Sequence, residues 1–530
     1  MKKIISLITI FAGIGSGLLF AQFDTVFVNS YGGPGDEPPG FGTGFSGAPV
    51  VKVIADPDGN IYTLTFTNSS SGDIQQNAGL EDIVLIKTSA EGQTEWVKTY
   101  GGSSFERAYS LRLLSDGNIL IAGRTASNNG VFSGFLGLED AFLLKVSTDG
   151  DVLWSQNYGG SQTDSFFDVI EIEGGDLIAC GISGSIDGDI NDASFVGSNK
   201  AWVIRLNPTG VPVWSKITNG IIINDDWEES FWHVRWNAQS SMLYLLGASY
   251  NFNDINSDDI LLCSYSLSGD LGIKRVYGGT AGDSPAGLEV LPGGDLLLFS
   301  TIRGAGNDIS QYSGGNADAW LVRVAASGDI VWDRNYGGTD LDYAYGMALS
   351  AEGKATLCLS SRSTNESAQA IGFGLLDGLI IQVDLAQGDT VFTKKWGSSG
   401  ADYAHDVVWA DDFSWFVSVG RSSGNDGFID NPRGGTDVIV LKYLDATAFQ
   451  AETQVHADFV VYPNPSEGRI YLSSSITGYY TVFNVTGSKV ATGFIEHERL
   501  EVELPEGLYK IVFQATKHQK AIFKTILINQ

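Results

Sequence analysis

Cysteine is almost missing from this chain. The three thiols in 530 residues, Cys180, Cys263 and Cys358, sit in separate apolar runs (DLIACGI, DILLCSY, KATLCLS). An odd, scattered set excludes a disulfide framework and metal-thiolate spacing, and leaves three small buried hydrophobes. Basic residues are also scarce, 32 Lys and Arg against 62 Asp and Glu, for a net charge of -30. The stretch 452–530 is close to neutral, so the acidity belongs to the rest of the chain. Such a surface repels nucleic acid and anionic lipid, and favours cations, basic partners or neutral sugars. Long apolar runs are confined to the start. Lys2 and Lys3, an apolar run from Ile4 to Phe20 and the small Ala21 read as a secretory signal peptide over 1–21, with cleavage before Gln22. No Gly-x-Ser-x-Gly, HExxH or phosphate-loop motif is present, which removes the commonest legible hydrolase and nucleotide sites.

What is abundant is repetition. Phe27, Trp96, Trp154, Trp214, Ile273, Trp332 and Phe392 each precede by four residues Tyr31, Tyr100, Tyr158, Thr218, Tyr277, Tyr336 or Trp396. After a first step of 69 residues the spacing holds at 58 to 60. A period that steady is one supersecondary unit copied along the chain. Each copy carries four strand signals, as in AYSLRLL, NILIAGRT, DAFLLKVS and DVLWSQNY, bounded by Gly, Asp, Asn and Ser. Seven copies predict an all-β, seven-bladed β-propeller over 22–445 with four-stranded blades. The lone strand Asp24–Tyr31 has no first half, and the last copy, ending near Tyr443, has no fourth strand. The N-terminal strand is therefore expected to complete the last blade and close the ring.

The connections sort by length. First and third turns are tight dipeptides such as Asp58-Gly59, Asp116-Gly117 and Asp149-Gly150, which suit hairpins. Second turns are long and variable, as in Ser183–Lys200 and Arg421–Asp437, and share one face with the Tyr-Gly-Gly blade links. A binding surface is expected on that loop-rich face. Third strands start at Asp82, Asp140, Lys200, Asp259, Asp318, Asp377 and Asp437, and a basic residue follows five positions later in five of seven copies. That phase predicts a fixed structural partner. The repeat-phase aromatics are expected to pack between blades.

The unit (Tyr-Gly-Gly, an acid six residues after the Tyr, an Ala-led strand, Asp-Gly, a Gly-ended strand, D-A-x-L-x-K and a late Trp) resembles the propeller-type repeats of secreted Bacteroidetes proteins over about residues 23–445. Residues 459–530 resemble a different family, the type IX secretion C-terminal sorting domain (type A). The features that carry this are Tyr462, Pro463, Asn464, Pro465 and Gly468, then the Asn484–Gly487 turn, Gly507-Leu508-Tyr509 and Lys524. Short alternating strands punctuated by Gly and Pro agree with a small C-terminal β-sandwich, reached through a linker at 446–458. The resemblance implies partnership with the type IX secretion machinery, removal of this domain, and either release or attachment to surface lipopolysaccharide. The localisation expected is secreted or outer cell surface.

Candidate chemistry is thinner. The acids six residues after each Tyr phase (Glu37, Glu106, Asp164, Asp283, Asp342 and Asp402, with Asn224 in the fourth copy) form either a cation or sugar ring, or carboxylates tying the Gly-rich links. The alternating oxygens of Asp187, Asp189 and Asn191 resemble the start of a calcium loop, with a solvated turn as the other reading. The repeat breaks in the fourth copy, where Asp225, Asp226, Trp227, Glu228 and Glu229 gather beside Trp232 and His233. Acids beside aromatic plates suit a carbohydrate subsite, which makes these five the candidate ligand-binding residues. Asp402, Tyr403, His405 and Asp406 place a histidine between acids at a blade link. The segment Ser147–Trp154 resembles a sialidase Asp-box, but Gly150 directly follows Asp149 and the activity does not carry over. Two functions stay open: a non-catalytic binding or adhesion module for glycans or proteins, and a carbohydrate-active enzyme using carboxylates on the loop-rich face.

Overall fold

A computed structural model describes residues 23–38, 50–190, 199–218, 229–251, 257–306, 308–350, 353–365, 372–411, 413–426, 433–445, 459–462, 469–474, 478–484, 489–495, 499–504, 507–515 and 521–528. The expected signal peptide and the 446–458 linker lie outside the described residues. Seven four-stranded antiparallel sheets, each in simple sequential order, make the blades. The innermost strands of blades 1 to 7 are Lys52–Ala55, Glu106–Leu113, Asp164–Glu171, Glu229–Asn237, Ser284–Val290, Asp342–Ser350 and Asp402–Trp409. Each touches the inner strands of both neighbours, and blade 7 touches blade 1, so the ring is closed.

Closure follows the expected route. Phe23–Tyr31 is the outer strand of blade 7 and pairs antiparallel with Asp437–Asp445, Val28 lying opposite Leu441. The second strands Ile61–Thr67, Ile119–Thr125 and Leu177–Ser183 are buried at every residue, because both faces of a blade pack on neighbouring blades. Outer strands such as Val152–Tyr158 begin exposed and end with a buried tyrosine. The repeat-phase aromatics and Ile273 pack half-buried against the clusters between blades.

Two local devices fix the blade geometry. The third turns are tight: Gly150 has φ 77° and its N–H donates to Ser147 O at 2.8 Å, a conformation that suits glycine. Its carbonyl accepts the Tyr100 hydroxyl of the preceding blade at 2.8 Å. Tyr158 does the same to Gly210, Tyr277 to Gly328 and Tyr336 to Gly388. The repeated tyrosine thus ties blades 1, 2, 4 and 5 each to the blade that follows. Six inner strands also carry a β-bulge, and in blade 3 it faces Gly181, where a Cβ would lie 1.9 Å from Ser165 O. The basic phase finds carboxylates of its own blade, Lys87 with Glu95, Lys145 with Asp116, Arg205 with Asp176 and Arg323 with Asp295.

The C-terminal segment forms two antiparallel sheets, Phe459–Tyr462, Arg469–Ser474 and Arg499–Glu503 in one, and Lys489–Ile495, Gly478–Asn484, Gly507–Ala515 and Ala521–Ile528 in the other. Cys180, Cys263 and Cys358 are buried and unbridged.

Removing residues 23–31 leaves the Asp437–Asp445 strand as an open edge. The truncated chain is expected to melt several degrees lower and to form oligomers in size-exclusion chromatography; an unchanged monomer with an unchanged melting temperature would show that the ring does not depend on this strand.

Candidate functional site at the propeller axis and its loop-rich mouth

The acids of the blade links are fully buried: Glu37, Glu106, Asp164, Asp283, Asp342 and Asp402 are each 0% exposed. Each accepts the backbone N–H four residues earlier, from Gly33, Gly102, Gly160, Gly279, Gly338 and Ser398, at 2.7–3.0 Å. Thr67 and Thr125 hydroxyls donate to the second oxygens of Glu37 and Glu106, and Ser183 to that of Asp164. The acid phase therefore fastens the blade links. In blade 4 the sequence placed Asn224 at this phase, and the structure corrects it: the strand begins at Glu229, opposite Ser249. The swollen link displaced the count by five residues. Glu229 is 2% exposed and is held by Thr218 Oγ1 and by Lys274 Nζ at 2.8 Å, which makes it a tie of the same kind. Asp225, Asp226, Trp227 and Glu228 lie outside the described residues.

A second carboxylate meets the first at most links. Asp82 accepts Ala78 N at 2.6 Å, Asp140 accepts Leu136 N at 2.7 Å, Asp318 accepts Ser313 N at 2.6 Å and Asp437 accepts Arg433 N at 3.0 Å. A Cβ placed on Gly101 would lie 2.1 Å from Asp82 Oδ1 and 2.8 Å from Glu106 Oε2. Glycine follows the tyrosine because two carboxylates close over it. Blade 3 departs, with Lys200 where six blades have Asp. Burial pushes Asp82, Glu106, Asp140, Asp164, Asp342, Asp402 and Asp437 above the usual carboxylate range, Asp283 to about 7 and Asp318 to about 6.

Asp187 and Asp189 belong to the same scaffold. Asp187 Oδ1 accepts Ser161 N at 2.7 Å, as Asn129, Asn365 and Asp426 accept Ser103, Thr339 and Ser399, and Asp189 Oδ2 accepts Gly159 N at 3.0 Å. Asn191 lies outside the described residues. Among the described residues no three His, Cys, Asp or Glu side chains group as a metal site.

The bulges insert one extra side chain into each of six inner strands. Counting three residues after each ring acid gives Tyr109, Phe167, Trp232, Ala286, Tyr345 and His405; Val51 precedes Lys52 at the same phase in blade 1. Neighbouring members touch: Tyr109 and Phe167 rings lie 5.1 Å apart, Phe167 and Trp232 5.6 Å, Tyr345 and His405 5.0 Å. One to three positions further on, the inner strands of blades 2 to 5 carry an ionic clasp. Asp168 accepts Ser110 Oγ at 2.8 Å, Arg112 at 2.6 Å and Arg235 at 2.9 Å, while Arg235 also reaches Glu289 at 3.0 Å. Blades 2 to 5 are thereby joined neighbour to neighbour around the ring. Burial alone would raise Asp168, but Arg112 and Arg235 outweigh it and hold the carboxyl well below its usual range. His233, adjacent to Trp232, is lowered to about 3 by burial.

His405 is the exception in the bulge ring. It is 0% exposed, lies 5.9 Å from the Tyr403 ring as well as against Tyr345, and neither ring nitrogen has a hydrogen-bond partner among the described residues. Burial, with Arg421 and Lys52 as nearby positive charges, holds it far below its ordinary value, so the imidazole is neutral. Leaving each buried nitrogen unsatisfied costs about 1–3 kcal/mol. The sequence marked Asp402, Tyr403, His405 and Asp406 but not their axial direction; the signal was the glycine of the second strand, Gly420 here, which faces the residue before the bulge. Of the sorting-signal positions, Tyr462, Gly507, Tyr509 and Lys524 fall on C-terminal strands, while Pro463, Asn464, Pro465 and Gly468 lie outside the described residues.

Two predictions follow from these charges. Carboxyls raised by burial bind more protons folded than unfolded, so their contribution to stability is complete below the unfolded value and is lost as pH rises through the folded one. With Asp318 and Asp283 at about 6 and 7, the melting temperature should fall between pH 5 and pH 8, and Asp283→Asn should flatten that slope in a thermal scan. A melting temperature that rises over this range would contradict the assignment. Separately, Asp168→Ala strands Arg112 and Arg235, and should lower unfolding free energy by about 3–5 kcal/mol in denaturant titration.

Comparison with known proteins adds the following. A regulatory protein, FlaEY, of Caulobacter vibrioides is 22% identical over 444 residues, covering 75% of this chain and 45% of its own length. The chain thus spans less than half of that relative. Among solved structures, a puromycin hydrolase matches with TM-score 0.44 at 11% identity (92% of this chain, 62% of that one). The periplasmic gluconolactonase of Pseudomonas aeruginosa matches with TM-score 0.40 at 13% identity (70% and 95%), and an alpha-L-arabinofuranosidase of Fusarium graminearum in complex with arabinobiose with TM-score 0.40 at 12% identity (79% and 99%). Residues 460–529 match the secretion system C-terminal sorting domain. The chain is a seven-bladed β-propeller carrying a type IX sorting domain, and hence a secreted or cell-surface protein.

Proposed function

We propose that the chain is a non-catalytic binding or adhesion module, delivered by the type IX machinery and engaging a glycan or protein through its loop-rich face. In this reading residues 1–21 are removed on export, 22–445 form the working propeller, and 459–530 are removed after 446–458, with release or attachment to surface lipopolysaccharide. One observation carries the reading. The acids that recur on the loop-rich face hold the backbone N–H groups of their own links, six of them with no exposed surface, so this carboxylate set serves the scaffold rather than a substrate. Calcium is not required by this assignment, because Asp187 and Asp189 already hold Ser161 and Gly159.

A glycan-array and surface-protein screen of the full chain, with product analysis on every hit, tests the proposal. Binding without turnover is the expected result. Product release that disappears in Asp226→Asn or Glu228→Gln would replace it with a carbohydrate-active enzyme using those carboxylates.

A further inference from the structure

We propose that the loop-rich face docks a protein partner that offers apolar pockets flanked by lysine or arginine, and that exposed leucines at the ends of the second turns are its anchors. The inference rests on the binding reading above and selects a protein over a glycan within it. Leu80, Leu138 and Leu375 stand at one phase, two residues before Asp82, Asp140 and Asp377, and are 66%, 64% and 68% exposed. Leu136, Ile186 and Phe373 belong to the same second turns of blades 2, 3 and 6, and each is 48% exposed. Blades 6, 7, 1, 2 and 3 follow one another around the closed ring, so these six side chains share one arc of its face. Apolar side chains gathered in this way on a surface mark an interaction site.

The fold does not need a leucine at this phase. Leu80 N–H donates to Ser104 O at 2.6 Å, Leu138 N–H to Gln162 O at 3.2 Å and Leu375 N–H to Gly400 O at 2.9 Å. A Cβ on the preceding Gly79, Gly137 or Gly374 would lie 2.2–2.3 Å from a carbonyl of the next blade link, so each turn is pressed against that link. Blade 7 builds the same turn from Gly434 and Gly435, with Gly435 N–H donating to Gly35 O at 3.1 Å, and blade 5 places the exposed Asn316 at this phase. The leucine is spare to the turn that presents it, and a turn already ordered loses little conformational freedom on docking. Charge then selects the partner. Asp187, beside Ile186, and Asp426, in blade 7 between the leucines of blades 6 and 1, are exposed and form no ion pair among the described residues. In a chain of net charge -30 a second copy would set acid against acid, whereas a basic surface complements the face. Leucine offers a sugar neither an aromatic plate nor a hydrogen bond, which favours a protein.

The test titrates the full chain with synthetic amphipathic peptides of equal length, built from Leu and Lys, from Ser and Lys, and from Leu and Glu, and reads affinity by fluorescence anisotropy. The Leu/Lys peptide should bind, and the other two should bind roughly tenfold or more weakly. Combining Leu80→Asn, Leu138→Asn and Leu375→Asn should weaken the Leu/Lys peptide by roughly tenfold or more. That variant carries the residue blade 5 already uses at this phase and should melt where the parent does, so lost binding is not lost folding. A lowered melting temperature would overturn the proposal by making the leucines part of the fold. Equal binding of the Leu/Lys and Ser/Lys peptides would overturn it by reducing the contact to charge, and so would equal binding in parent and variant, or none. In each of those cases a glycan bound without turnover in the broader screen would still sustain the binding reading.

Discussion

The carboxylate that closes over a glycine link is the interaction on which the rest of the ring depends. A blade link must turn sharply from the outer edge of one sheet to the innermost strand of the next, and it does so with backbone N–H groups facing a dry interior. Without acceptors those groups would be orphaned. Asp164 supplies them by taking the Gly160 N–H, with Ser183 and Ser185 hydroxyls filling its remaining lone pairs. Because the acid starts the inner strand, the same contact that satisfies the link also sets that strand's register. Lys274 on Glu229 shows the same need met differently where the link is enlarged.

From that register the axial layers follow. The bulge adds one residue to the inner strand, so a strand can offer an aromatic plate and, one step on, a polar group, as Tyr109 with Ser110 and Phe167 with Asp168 do. Blades 2 to 4 use the pair for cohesion, as Tyr109, Phe167 and Trp232 pack together above the Arg112–Asp168–Arg235 clasp. Blade 7 keeps the acid, Asp406 accepting Val53 N as Asp168 accepts Val234 N, and changes the plate to His405. Identical backbone, changed side chains: the scaffold holds geometry constant while the chemistry at the axis varies.

Much of this was legible in the sequence because it repeats. Strand count, blade count, closure by Asp24–Tyr31 and the long second turns all follow from phase, and phase survives substitution. The tying role of Asp164 and its equivalents was one of two readings of a repeated acid, and only burial chose between them. What stayed hidden was the non-periodic part. Asn224 was assigned by counting through a link that had grown, so the count failed where the repeat did. The inward direction of His405 depends on a bulge, and a bulge inverts the side-chain alternation on which strand reading relies. Gly181 and Gly420 carried that information, but a glycine in a strand names no direction by itself.

The closing strand pair also gives the particle a polarity. Phe23 lies opposite Asp445, and both sit where blade 7 carries its short third-turn end, away from the Asp437 and Tyr31 ends that meet the links. The chain therefore enters and leaves the ring at one corner, on the side opposite the long second turns. Any tether continuing beyond Asp445 starts from that side, and removing the residues before Phe23 or after Asp445 would leave all seven sheets whole.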